Sequence, residues 1–156
     1  MSEFHKSGVS LDEYHMHQYV YDLNIVNVPK IISYDKDTQI LVMQRLNSDP
    51  DTEINESLQE KDRFDDIRDI IRALYDNNIE YPDITVYNFI EDNKNNNLYN
   101  DKIWIIDFEH SKIVKKIENK FVNKFINGLN KWNPDFIYLY NLLVLYSLIS
   151  IIFYSL

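Results

Sequence analysis

Ile79-Glu80-Tyr81-Pro82-Asp83-Ile84-Thr85-Val86-Tyr87-Asn88-Phe89-Ile90 leads, after an Asn-rich interval, into Lys102-Ile103-Trp104-Ile105-Ile106-Asp107-Phe108-Glu109. The first half contains Asp-x-x-x-x-Asn, from Asp83 to Asn88. That spacing alone says little, because sixteen Asp and eighteen Asn in 156 residues produce about two such pairs by chance. Context gives it weight. The triplet Asn88-Phe89-Ile90 and the run Lys102–Ile106 read as short strands. The second runs directly into Asp107-Phe108-Glu109.

Upstream, Phe64, Ile67, Ile70, Ile71 and Leu74 recur at helical spacing and predict a helix from about Lys61 to Tyr75 with one buried stripe. Asn77-Asn78 ends it, since Asn tolerates the left-handed conformation at a helix stop. Val28–Tyr34 and Gln39–Gln44 are apolar runs of strand length separated by Asp35-Lys36-Asp37-Thr38, and they read as a hairpin. Met16, Tyr19, Val20 and Leu23 predict a first helix over residues 11–23, with Ser10 and Asp12 available as caps. The order of helix, hairpin, helix and short strands implies an α+β fold.

In order and spacing, this stretch resembles the catalytic half of the protein-kinase-like superfamily. Tyr81-Pro82-Asp83 stands where that family has His-Arg-Asp, and Asp107-Phe108-Glu109 stands where it has Asp-Phe-Gly. The run Asp107 to Ser111 is closer to the choline and aminoglycoside kinases than to ordinary protein kinases, although those usually keep the His at position 81. The resemblance implies an α+β fold made of most of a C-terminal lobe plus a remnant of the N-terminal lobe. Its parts are a helix, hairpin and hinge over 1–46, an acidic linker over 47–60, the catalytic lobe over 61–135 and an apolar segment over 136–156.

The resemblance also assigns roles. Asp83 would orient the attacking hydroxyl, and Asn88 and Asp107 would bind magnesium on the phosphates. Met43, Gln44, Arg45 and Leu46 would form the hinge and back of an adenine pocket, and Glu13 would pair with a phosphate-binding lysine. The implied cofactors are ATP and Mg2+, and the implied acceptor is a hydroxyl of a protein or small molecule. Without the family, the same residues read as a turn Asp after Pro82, a strand-edge Asn and a strand-end cap.

The expected weak point lies before the hairpin. Lys6 is the only lysine before Lys30, and its surroundings do not read as a strand. Gly8 and Gly128 are the only glycines, so no glycine-rich phosphate loop can be written. Weak or absent activity is therefore expected, with a non-catalytic pseudokinase-like interaction module as the alternative.

Composition narrows the rest. The net charge is −9, and residues 47–69 hold nine acidic against three basic side chains. That excludes a nucleic-acid partner bound through clustered Lys and Arg. Cysteine is absent, which removes disulfides and thiol chemistry and suits a reducing, cytoplasmic setting. Abundant Asn and Ile suit an AT-rich genome, a viral one among them. His15 and His17, two apart on a helix, point to different faces and make a poor metal pair. His110 reads as a loop residue. Residues 136–156 form a 21-residue run without charge, long enough to cross a bilayer. A buried helix or a degenerate tail remain open beside a membrane anchor.

Overall fold

The computed structural model describes residues 2–46, 61–92 and 103–135, with the side chains of 61–63 left out. The expected acidic linker, the Asn-rich turn and the apolar segment 136–156 lie outside the described residues. Among the described residues no helix is long and apolar enough to cross a membrane. The described residues are α+β, with three α-helices and small antiparallel sheets among them, compatible with part of a kinase-like fold.

Strand β1 (Glu3–Lys6), helix α1 (Leu11–Leu23), strand β2 (Ile31–Asp35) and strand β3 (Ile40–Gln44) form the first part. The expected hairpin is present as β2 and β3, and Asp35 caps its turn by accepting from the N–H groups of Asp37 and Thr38. β1 was not expected. It pairs antiparallel with β3 from Glu3 opposite Gln44 to Lys6 opposite Leu41, giving the sheet order β1-β3-β2. The expectation that no strand carries a lysine ahead of the hairpin is therefore corrected: Lys6 ends a strand. Glu-Phe-His-Lys has almost no strand signature of its own. The ladder offered by β3 overrides that weak local preference.

Gly8, at φ 76°, turns the chain from β1 into α1. Ser10 caps α1 by accepting from the Glu13 N–H, and Asn24 stops the helix in the left-handed region at φ 52°. The buried face of α1 differs from the expected one. Glu13, His17 and Val20 are its buried residues, Met16 and Leu23 are only partly buried, and Tyr19 is exposed. The stripe is polar at its N-terminal half because partners meet it there, Lys6 at Glu13 and the Pro29 carbonyl at His17.

Helix α2 (Lys61–Asp76) buries the expected Phe64, Ile67, Ile70, Ile71 and Leu74. These pack with Val20 and Val28 from the first part, and with the strands that follow, into one continuous core. At about 25 cal/mol per Å² of apolar surface removed from water, such a stripe is enough to hold α2 without strong local propensity. Asn78, at φ 60°, ends the helix as expected. Strand β4 (Ile79–Glu80) pairs with β7 (Lys112–Ile113), and β5 (Phe89–Glu91) pairs with β6 (Ile103–Ile105). Helix α3 (Lys120–Ile126), capped by the Asn119 side chain, packs against α2.

Candidate functional site

Two loops face the sheet. The first runs from β4 to β5 through Asp83 and a 3-10 turn at Val86–Asn88, and the second follows β6 through Asp107. The β5–β6 pairing continues one step further, with the Ile106 N–H donating to the Asn88 carbonyl at 2.9 Å. That register puts Asn88 beside the residue preceding Asp107. The Asn88 side chain donates to the Asp83 carbonyl at 3.0 Å and ties the two ends of Asp-x-x-x-x-Asn together.

Tyr81 is buried, and its hydroxyl donates to the Ile106 carbonyl at 2.9 Å. Burial holds the phenol well above its usual pKa, with repulsion from Asp107 and Asp83 adding to the effect, so it stays a donor. The replacement of His by Tyr thus keeps a link between the two loops. Phe108 is fully buried, edge-on to both Tyr81 and His17 at 5.8 and 5.4 Å between ring centres. His17 contacts the Pro29 carbonyl through Nε2 at 2.7 Å. Burial lowers its pKa, so the neutral ring with the proton on Nε2 satisfies that acceptor. The three rings stack α1 onto both loops.

Asp107 itself adopts φ 64°, a left-handed conformation that Asp tolerates better than most residues. One carboxylate oxygen accepts from the Glu109 N–H at 3.2 Å, and the other meets the Lys6 ammonium at 2.9 Å. Because the unusual φ falls on Asp107 and not on Glu109, the absence of glycine at 109 imposes no backbone strain.

Lys6 also reaches Glu13 at 2.7 Å, so one ammonium bridges α1 and the Asp107 loop. Burial works to lower the Lys6 pKa, but the charge of Asp107 and hydrogen bonds to Glu13 and Asp107 outweigh it, and the pKa is raised. Glu13, 4% exposed, has its pKa raised by burial, partly countered by Lys6. The two shifts pull the shared proton in opposite directions. The short contact to a strongly basic ammonium makes the ion pair the neutral-pH state, and the rise at Glu13 reflects the cost of desolvating a carboxylate.

Asp83 has the reverse problem. Its Oδ1 is shielded from water and receives no hydrogen bond from any described residue. Burial raises its pKa, the Asn88 amide lowers it, and the nearby Asp107 raises it again, leaving a net rise. A carboxylate with one unsatisfied, shielded oxygen is a good acceptor for a proton brought to it.

Between the sheet and these loops lies a cleft of about 370 Å³, within the range of small-molecule pockets. Met43, Gln44, Arg45 and Leu46 all line it. Lys6 and Asp107 stand at its polar end, and Phe4, Pro29, Ile90 and Ile106 complete its apolar walls. The bonds described above tie Asn88 to the Asp83 loop and set it beside Ile106, the residue before Asp107; of the three expected residues, Asp107 lines the cleft. Their hard oxygen donors suit Mg2+. Among the described residues no group of three or more His, Asp or Glu is gathered for a metal. Any magnesium here would share its coordination between Asp107, Asn88, water and ligand oxygens, which is the usual habit of that ion.

Sequence reasoning missed Lys6, Phe4 and Asn133. The last is buried at 3% exposure and grips the Asp83 loop from both sides. Its backbone N–H donates to the Ile84 carbonyl and its side chain donates to the Pro82 carbonyl, both at 2.8 Å. No local signal marks Asn133; a Lys seven residues before a helical Glu was the available sign for Lys6. His110 lies in a turn, and His15 and His17 are exposed and buried respectively, as expected.

No protein-family model matches the chain. It is similar to the EKC/KEOPS complex subunit BUD32 of Enterocytozoon bieneusi (strain H348), with 34% identity over 114 residues, covering 64% of this chain and 52% of that protein. The chain thus spans about half the length of the relative it matches. This similarity supports a relationship to the kinase-like superfamily and nothing finer.

Proposed function

We propose that the chain binds a magnesium–nucleotide in the cleft and acts as an ATP-dependent phosphotransferase toward a hydroxyl acceptor. The observation that carries this reading is the Lys6 ammonium held between Glu13 and Asp107. It supplies the cation whose absence from the sequence pattern argued for inactivity. Phosphoryl transfer needs positioning and charge neutralisation more than covalent chemistry, and a preset ammonium contributes both.

In this reading Lys6 meets the phosphates, and Asn88 and Asp107 hold magnesium, which when bound neutralises phosphate charge. Asp83 accepts the proton of the attacking hydroxyl. The terminal phosphorus–oxygen bond of the nucleotide breaks as a bond to the acceptor oxygen forms, and the diphosphate leaves. The acceptor is a protein or small molecule; similarity to a named complex subunit favours a protein partner.

A second reading, a module that binds nucleotide without turning it over, is favoured by the glycine count. Gly8 and Gly128 leave no glycine-rich cradle for the phosphates. Calorimetry with ATP, with and without magnesium, followed by phosphate-release assays separates the two. Magnesium-dependent binding with turnover abolished in Asp83→Asn supports the transferase. Binding without turnover supports the module, and no binding at millimolar ATP sinks both.

A further inference from the structure

The net charge of −9 is unevenly spread. Residues 112–131 carry six lysines, Lys112, Lys115, Lys116, Lys120, Lys124 and Lys131, against the single acid Glu118, a charge of +5 that leaves −14 for the rest of the chain. All six lysines are exposed. Ile117, Val122 and Phe125 take the core positions of the same run, and Lys120 and Lys124, four apart on α3, share one side of that helix. Acids on the neighbouring elements are already engaged. Glu80 meets Lys112 at 3.1 Å, and on α2 Asp65 and Asp69 hold Arg68 and Arg72.

The same run holds the two most exposed large apolar side chains among the described residues, Leu129 at 73% and Ile113 at 56%. Ile113 follows Lys112 on β7. Leu129 is fixed beside Lys124, whose carbonyl accepts from the Leu129 N–H at 2.9 Å after Gly128 turns the chain at φ 71°. Lysines alone would suit any polyanion, but wet aliphatic side chains set among them suit one with an apolar interior. A nucleic acid calls for Arg forks and exposed rings. The run has no Arg, and its aromatics Phe121 and Phe125 are half-buried and buried. An acidic peptide meets the lysines by charge and gives a leucine this exposed nothing to enter.

We infer that this face docks on an anionic phospholipid bilayer, with the lysines on the headgroups and Leu129 and Ile113 in the acyl boundary. The acidic remainder of the chain is repelled by the same surface, which orients the molecule with its basic face down.

Vesicle flotation of the full chain tests this. Binding should be strong to phosphatidylcholine vesicles that contain phosphatidylserine, weak to phosphatidylcholine alone, and should fall steeply with added salt. A lysine near such a surface contributes about fivefold to partitioning, so Lys115→Gln, Lys120→Gln and Lys124→Gln together should lower it on the order of 100-fold while thermal unfolding stays unchanged. Leu129→Ser should lower it about tenfold, the scale of one aliphatic side chain returned to water. In Leu129→Trp, phosphatidylserine vesicles should shift tryptophan emission to the blue beyond any shift in the parent.

Equal binding to both kinds of vesicle, or binding untouched by the three lysine changes, would overturn the inference and move the attachment elsewhere in the chain. Lysine-dependent binding that Leu129→Ser leaves unchanged would also overturn it, since aliphatic insertion is what selects a bilayer. So would the absence of flotation at low salt; polyglutamate or polyuridylate bound instead would give the face to an acidic protein segment or to RNA.

Discussion

Replacing Lys6 with Met tests the centre of the site through stability alone, without any ligand. The substitution keeps the length of the side chain and removes the charge, leaving Glu13, 4% exposed, without the ammonium 2.7 Å away. Removing one partner of a fully buried ion pair costs about 3–5 kcal/mol. Lys6 is 26% exposed at its side chain and Asp107 can turn to water, so about 2 kcal/mol is the working figure. For a chain of this size that lowers the midpoint of thermal unfolding by about 4–8 °C.

The loss must depend on pH in a defined sense. The Glu13 pKa is already raised by burial, and without Lys6 the hydrogen bond and positive charge that lower it are gone. The folded variant then holds a proton on Glu13 that the unfolded chain gives up. Its stability is fully present below the unfolded carboxylate pKa and is lost as pH rises through the higher folded one. Denaturation at pH 5 and pH 8 should show a small deficit at the lower pH and the full deficit at the higher. Adding Glu13→Gln should recover most of it by discharging the buried carboxylate. A Lys6→Met variant as stable as the parent at pH 8, or a double variant no better than the single one, would refute the bridging role.

Asp83→Asn should stabilise the fold by about 1 kcal/mol at pH 8 while abolishing any transfer, since it removes a shielded charge facing Asp107. Because the folded Asp83 pKa is raised, its protonated form is the stabilising one; the gain should vanish below the unfolded pKa in an acid titration of unfolding. Tyr81→Phe deletes the donor to the Ile106 carbonyl and should cost about 1–2 kcal/mol in urea denaturation, with ATP affinity falling as Asp107 loses its support. Asn133→Ala removes the side-chain bond to the Pro82 carbonyl and the oxygen that caps Asp135, and should lower kcat more than ATP affinity in a kinetic comparison, because it loosens Asp83 and not the hinge.

Legibility followed how local each signal was. The α2 stripe and the β2–β3 turn are written in near-neighbour spacing, and the structure puts both where that spacing implies; Asp83, Asn88 and Asp107 are legible as a spaced motif in the same local way. Residues 43–46, expected as a hinge at a strand end, line the cleft. β1 could not be read that way. Three of its four residues are exposed and only Phe4 is strongly apolar, so what makes it a strand is the unpaired edge of β3, 35 or more residues further along the chain.

The same reasoning accounts for α1, whose buried face carries Glu13 and His17 where apolar periodicity looks for Leu and Ile. A polar residue is worth burying only where a partner waits, and the partners of these two, Lys6 and the Pro29 carbonyl, are set by tertiary contacts. Functional sites break the local pattern for this reason: the groups that must act cannot also serve as core. A Glu and a His on the inner face of an otherwise ordinary helix were therefore themselves the sign that this face borders a site, and Lys6 was the one cation near enough in the chain to answer it.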